Sequence, residues 1–445
     1  MERIGLLKAI RMTYKANKLS IEERKHVQQQ RLQKLVQYAK DNSPYFAEKY
    51  DELGESFTLQ DLPVTNKVEL MSCFNEWVTD GDITLEKVER FMDNKDNIGR
   101  KLDNKYLVHT TSGSTGNPAV VLYDETTMNV VSAIAVLRSF ARIEDMKKFL
   151  RKGKKTVGLF ADGGFYLGCG TVRYNQLRMP WKKDQIIVDV RKPMGEIVAR
   201  LNDFQPVMLG GYPTALELLI DEQRSGRLQI EPVIIMTGGE YLSDDLRKQL
   251  AATFNCYVQT NYSCTEGGTI ACECREGHFH INEDWVIVEP VDEQNNAVPY
   301  GQLAHKLLLT NLFNYTQPFI RYELTDRAIL HNEPCPCGKN TMWVEIEGRT
   351  DDILTFEHGK KIAPLSLYAL LKEVHSIKRF QLIQHNERLL ELRISADNKE
   401  EAFIEAKFAL QQYLQQQGIE TDVYLSQEEP QSHPQSGKFK HIYKA

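Results

Sequence analysis

The sequence predicts an α/β protein: a large N-terminal domain of layered α/β sheets with a β-rich subdomain, followed by a small C-terminal α+β domain. Three observations carry that prediction. From about Tyr106 to Gly268 short β-rich runs alternate with helical stretches, the signature of a largely parallel sheet. Between Trp285 and Leu309 the pattern changes to paired strands around the polar turn DEQNNAVPYG. After Gly348 a strand-like run, a helix, a hairpin, a second helix and a last strand form a compact unit of about 95 residues. A boundary at Arg349 divides 1–348 from 349–445.

In chain order, Leu32, Leu35, Val36 and Ala39 recur at helical spacing and predict one buried stripe of an amphipathic helix. The polar run Asn94 to Lys105 reads as a surface loop. Strands are expected at Thr156–Phe160, Pro206–Leu209, Val233–Met236 and Tyr257–Thr260. Helices are expected over Thr214–Arg224 and Ser243–Phe254. In the terminal unit a helix starts near Pro364, FQLIQ and LLELRIS form a hairpin, and Lys399–Gln416 is helical before TDVYL.

Composition narrows the function classes. Apolar residues at 42% and charged residues at 26% describe a globular chain rather than a disordered one. A net charge of −6, with the densest basic run (Lys147 to Lys155) interrupted by Phe149 and Leu150, gives no reason to expect nucleic acid. The opening residues carry Glu2 and Arg3 without an unbroken apolar core, and no later stretch approaches roughly 18 apolar residues, so neither a signal peptide nor a membrane span is expected. The expectation is a cytoplasmic protein with reduced cysteines.

The stretch His109 to Pro118, HTTSGSTGNP, is dense in glycine and small hydroxyl residues, which lets backbone N–H groups approach a polyphosphate. It is not a Walker loop, because Gly116 is followed by Asn117 and Pro118 rather than Lys and Ser/Thr. Taken alone such a run is an ordinary loop. Further stretches follow it in order: TGGEYLSDDLRKQL from Thr237, NYSCTEGG from Asn261, QPFIRYELTDRA from Gln317, EIEGRTDDIL from Glu345, and SGKFKHI near the C-terminus.

This ordered set resembles the adenylate-forming superfamily of acyl- and aryl-CoA ligases. The Cys pairs and the opening helix followed by LPVTNKVEL resemble its phenylacetate-CoA ligase/CapK-like branch. The resemblance implies ATP-dependent activation of a carboxylic acid through an acyl-adenylate, then transfer to a thiol, coenzyme A, with Mg²⁺ as cofactor. It leaves a second reading open, an adenylyltransferase that places AMP on a hydroxyl-bearing cofactor or metabolite. The expected partners are a small-molecule acid and a nucleotide, with no nucleic acid and no membrane; a homodimer is compatible with it.

By the same resemblance Ser112, Gly113, Ser114, Thr115 and Gly116 hold the β- and γ-phosphates. Gly239 and Glu240 line the adenine pocket, and Tyr262 stacks on the base. Thr265 and Glu266 lie near the α-phosphate and Mg²⁺. Asp326 grips the ribose hydroxyls, with Arg321 in the same motif and Arg349 as a second ribose or phosphate contact. Asp351 is the hinge of a mobile C-terminal lid, and Lys438 bridges ATP and the substrate carboxylate. The chemistry suits these types: an anionic nucleophile meets an anionic phosphate, so cations must neutralise the charge that develops. Phe165, Tyr166, Gly168, Gly170 and Tyr212 in the expected acid pocket suit a flat or aromatic acid. Three positions depart from the pattern: Ser263 and Thr325 stand where glycine is usual, and Asn117 where lysine is frequent.

Cys272-x-Cys274, His278 and His280, and Cys335-x-Cys337 supply ligand pairs of the kind that build a closed structural zinc site. By similarity to family relatives the ligands are Cys274, His280, Cys335 and Cys337, with Cys272 and His278 as substitutes. The alternative is reduced, buried cysteines in a strand pair.

Overall fold

A computed structural model describes the chain except residues 1–2, 55, 112–117, 180–183, 350–351, 363 and 435–436, and the side chains of 365 and 369. The chain forms two compact units: Met1–Leu324 with Ile329–Glu345, and Thr325–Ala328 with Ile346–Ala445.

The first unit is organised by five parallel strands: β1 (Thr156–Phe160), β2 (Gln185–Asp189), β3 (Met208–Gly211), β4 (Ile234–Thr237) and β5 (Tyr257–Cys264). Crossover helices such as Met194–Phe204, Pro213–Arg224 and Asp244–Phe254 return the chain between them. Val157, Leu159, Leu209 and Ile235 pack against Leu201, Leu216, Leu219 and Leu250 in a core that excludes water. At roughly 25 cal/mol per Å² of apolar surface, such burial is the main stabilising contribution.

The sheet then changes sense. β5 turns tightly into the antiparallel β6 (Gly268–Glu273), which pairs with β7 (Phe279–Ile281). With β8 (Leu303–Ala304), β9 (Asp326–His331) and β10 (Trp343–Arg349) the order is β8-β9-β10-β7-β6-β5-β4-β3-β1-β2. The paired strands expected around the polar turn are Val286–Val291 and Lys306–Asn311, joined by Tyr322–Leu324 in a separate three-stranded sheet. A third sheet contains Tyr106–Thr110 and Val120–Tyr123, the strands on either side of residues 112–117.

Helix Ile21–Asn42 buries Leu32, Leu35, Val36 and Ala39, and Ser20 with Glu23 forms a capping box at its start. No helix is long and apolar enough to cross a membrane among the described residues.

In the second unit a four-stranded sheet runs Asp422–Leu425, Leu389–Ser395, Arg379–Asn386, Ile442–Lys444. Phe380, Leu382, Leu390, Leu392 and Ile394 meet Leu367 and Leu371 of helix Pro364–Lys372, and Ala402, Ala406 and Leu410 of helix Lys399–Gln416.

Candidate active site

The β5–β6 turn places Thr265 and Glu266 at the end of the parallel part of the sheet, and three side chains from other strands hold it. The Tyr123 hydroxyl donates to the Thr265 carbonyl at 2.7 Å, and the Asn311 amide donates to the Glu266 carbonyl at 2.8 Å. The Tyr322 hydroxyl donates to Glu266 Oε1 at 3.0 Å. Full burial pushes the Tyr123 phenol well above its ordinary pKa, so it stays a neutral donor. Gly268 adopts φ +63°, and a Cβ there would lie 3.0 Å from Val131, so the sharp reversal needs glycine.

Glu266 is only 7% exposed. Its carboxylate bonds a neutral phenol, and among the described residues no Lys or Arg forms an ion pair with it. A buried carboxylate is costly unless a cation or further donors compensate it, and this donor set fits a hard divalent ion.

The segment Asn311–Gln317 also supports the strand that follows residues 112–117. Gln317 accepts from the Leu122 N–H at 2.6 Å and donates to the Val120 carbonyl, while Asn314 donates to the Leu122 carbonyl. Ser112, Gly113, Ser114, Thr115 and Gly116 themselves lie outside the described residues, as does Asp351.

Gly239, at φ +80°, and Glu240 follow β4. The Glu240 carboxylate accepts from both the N–H (3.2 Å) and the hydroxyl (2.7 Å) of Thr214. It therefore satisfies an otherwise orphaned donor in the first turn of helix Pro213–Arg224. Tyr262 lies on β5 beside the irregularity at Tyr262/Ser263. Phe160 and Tyr212 pack edge to face at 5.5 Å, and Phe165 is buried. At the carboxyl ends of β1 and β2 an open cavity of about 540 Å³ is lined by Asp162, Arg173, Gln176 and Asp189. Apolar Ile98 and Leu177 share its walls with these charged side chains, and Arg173 is paired to Asp162 at 2.6 Å.

Arg321 is held by protein groups. Its guanidinium is buried, donating to Glu289 at 3.1 Å and to the carbonyls of Leu62 (2.7 Å) and Gln60 (3.3 Å). These bonds tie the strand before Asp326 to the N-terminal segment.

In the second unit Asp326 opens β9, and Arg349 donates to the Thr325 hydroxyl beside it at 2.5 Å. Lys438 sits between Gly437, at φ +66°, and the buried Phe439. Tyr123, Asn311, Tyr322 and Gln317 were not legible as functional residues. Tyr322 and Gln317 lie inside a motif, but only the fold shows whom they bond.

Cys274, His280, Cys335 and Cys337 come together with all ligand atoms within 4.8 Å of one another. Cys274 and Cys335 sulfurs are 3.9 Å apart and Cys337 Sγ lies 3.3 Å from His280 Nε2. A tetrahedral ion with ligand distances of about 2.0–2.3 Å spans such edges. His280 Nδ1 is bonded to Thr341 (2.8 Å to the hydroxyl), which leaves Nε2 facing the cluster. Burial, with Lys339 nearby, lowers its pKa to about 4, so the ring is neutral, as a ligand must be. The Lys339 N–H donates to Cys337 Sγ at 3.4 Å. Cys272 instead meets Asn282, and His278 stands 3.2 Å from Cys335 Sγ.

No family model matches the chain. Among curated proteins it is 26% identical over 390 residues to a phenylacetate-coenzyme A ligase of Thermus thermophilus, covering 83% of this chain and 80% of that one. It is 24% identical over 377 residues to Protein CapK of Staphylococcus aureus, covering 81% and 76%. Among solved structures, 2-hydroxyisobutyryl-CoA ligase in the postadenylation state with 2-HIB-AMP superimposes with a TM-score of 0.70 at 20% identity, over 96% of this chain and 90% of that one. In sequence and in fold this chain resembles the adenylate-forming ligases.

Proposed function

We propose that this protein activates a carboxylic acid with ATP and passes the acyl group to a thiol, coenzyme A. The observation that carries the reading is Glu266: a buried carboxylate on a turn fixed by Tyr123, Asn311 and Tyr322, whose side-chain partner among the described residues is the Tyr322 phenol. The ordered motifs and the relatives named above support it further.

In the first half-reaction a substrate carboxylate oxygen attacks the α-phosphorus, the bond to the β-phosphate oxygen breaks, and pyrophosphate leaves. In the second a thiolate attacks the acyl carbonyl carbon and AMP leaves. Mg²⁺, when bound, neutralises phosphate charge, and Glu266 is the side chain that would hold it. Tyr322 orients that carboxylate, and Glu240 positions the start of helix Pro213–Arg224. Tyr262 stacks on adenine, Asp326 binds ribose, Arg349 contacts ribose or a phosphate, and residues 112–116 bind the outer phosphates. Lys438 neutralises charge during adenylation, delivered by residues 349–445 acting as a lid about Asp351 over a nucleotide- and acid-binding domain, 1–348. Cys274, His280, Cys335 and Cys337 hold a structural zinc ion. Eight cysteines, none in a disulfide, suit the cytoplasm.

The deciding measurement is carboxylate-dependent ATP–pyrophosphate exchange across an acid panel, followed by addition of coenzyme A. Exchange with an acid and thioester formation on adding the thiol are expected. Exchange with no acid would overturn acid activation in favour of an adenylyltransferase. Lys438→Ala should nearly abolish exchange and spare thioester formation from supplied acyl-adenylate; equal loss of both would remove the lysine from its role.

A further inference from the structure

A glutamine in the middle of a strand has no built-in use for its side chain. Gln381 of strand Arg379–Asn386 is nevertheless 2% exposed. Its neighbours Phe380 and Leu382 enter the hydrophobic core under the two helices, so strand alternation turns Gln381 to the opposite face. There it meets the segment that carries Lys438. Its Oε1 accepts from the Gln431 N–H at 2.8 Å, and its Nε2 donates to the Gln431 carbonyl at 2.8 Å and the Lys440 carbonyl at 3.0 Å. One amide thus binds the chain both before and after Lys438, using its acceptor and both donors.

Within that span the His433 N–H donates to the Lys438 carbonyl at 2.8 Å, and the Gly437 N–H donates to the His433 carbonyl at 2.9 Å. The Phe439 ring is buried, with the Arg379 guanidinium 3.8 Å from its centroid. Lys440 pairs with Asp352 at 2.9 Å. The arm after Lys438 therefore has several anchors, whereas at Gln431 the arm before it is joined to the sheet through Gln381.

We propose that Gln381 is a positioning residue for adenylation: it sets the loop geometry that aims Lys438. This rests on the role given to Lys438 above. Glutamate at 381 cannot donate and would set a carboxylate against two carbonyls. Methionine keeps the length but makes none of the three bonds. A polar group chosen for packing alone would affect both half-reactions alike, whereas one that aims the lysine affects only the half-reaction that uses it.

The test compares Gln381→Met, Gln381→Glu, Lys438→Ala and Gln381→Met/Lys438→Ala in the full chain, with the acid that gives the highest exchange in the panel. In the Gln381 variants the adenylation kcat should fall at least tenfold with the KM for ATP within threefold. Thioester formation from supplied acyl-adenylate should stay within twofold. The double variant should be no slower in adenylation than Lys438→Ala. Amide exchange should accelerate at 431–440 while the strands keep their protection. Equal loss of both half-reactions, or protection lost throughout the unit, would overturn the positioning role. If Lys438→Ala is defective but the Gln381 variants are not, this proposal alone falls. If Lys438→Ala adenylates normally, or no acid is activated, it falls together with the reading it rests on.

Discussion

Glu266 and Arg321 show how similar charged residues in neighbouring motifs are put to different uses. Both are buried, but among the described residues Arg321 bonds Glu289 and two backbone carbonyls through its guanidinium, whereas the Glu266 carboxylate accepts from the Tyr322 phenol. Arg321 also sits at φ +45°, a conformation that costs a non-glycine residue about 1–2 kcal/mol and persists only where the surroundings impose it. Here its own N–H is fixed by the Thr310 hydroxyl at 3.0 Å. For the Tyr322–Glu266 bond the expected outcome is kinetic. A hydrogen bond to a charged group is worth about 1.5–3 kcal/mol, so Tyr322→Phe should lower adenylation roughly 10–100-fold if the carboxylate loses its orientation. Pyrophosphate exchange measured against Mg²⁺ concentration checks this, with the defect expected to shrink as Mg²⁺ rises. An unchanged rate at limiting Mg²⁺ would show that Tyr322 merely fills space.

At the scale of elements, Cys274 and His280 join Cys335 and Cys337 in one cluster, which was legible because the paired Cys and His spacing marks candidate ligands and the family resemblance selects these four. Thr341 was not, since its bond to His280 depends on which strands meet. Cys337→Ser should reduce bound zinc from one equivalent to near zero and destabilise the first unit by about 2 kcal/mol or more. Cys272→Ser should retain the metal, because that sulfur faces Asn282. Metal analysis with melting curves, with and without chelator, reads both outcomes, and wild-type protein purified without zinc would refute the site. The same division explains the fold. Helix Lys399–Gln416 lies where its periodicity puts it, capped by Asn398. β3 begins two residues later than PVML suggests, since Met208–Gly211 is the stretch that pairs with β1 and β4. β2 went unread because QIIVD is only partly buried and follows a polar run, so its pairing with β1 makes it a strand. The motifs marked where chemistry-bearing residues fall. Tyr123, Asn311 and Gln381 were hidden because their roles arise from contacts across tens to hundreds of residues.

On the scale of the whole molecule, each unit buries a histidine that must stay neutral, and this links stability to pH. His109, in the first unit, is fully buried against Tyr123, with neither ring nitrogen in a hydrogen bond among the described residues. Burial lowers its pKa to about 4, an effect the nearby Phe165 carbonyl partly offsets. His441, in the second, is lowered to about 3 by burial and by Lys372. Both folded values lie below the ordinary histidine value of about 6.5, so between these limits the unfolded chain binds more protons. The stabilisation is complete above pH 6.5 and is lost as pH falls toward the folded values. Each histidine should therefore remove about 2 kcal/mol between pH 6.5 and 5. Buried Glu273, Glu283 and Glu289 oppose this, because burial raises their pKa values and the folded state takes up their protons first on acidification. The decisive quantity is thus a difference between variants. His441→Phe keeps an aromatic ring among Tyr368, Phe380 and Phe439 and removes the titrating group. Urea unfolding at pH 7 and pH 5 should show the variant losing about 2 kcal/mol less than wild type across that interval, whatever its stability at pH 7. An identical loss in both proteins would mean that His441 is accommodated charged, which its burial beside Lys372 argues against.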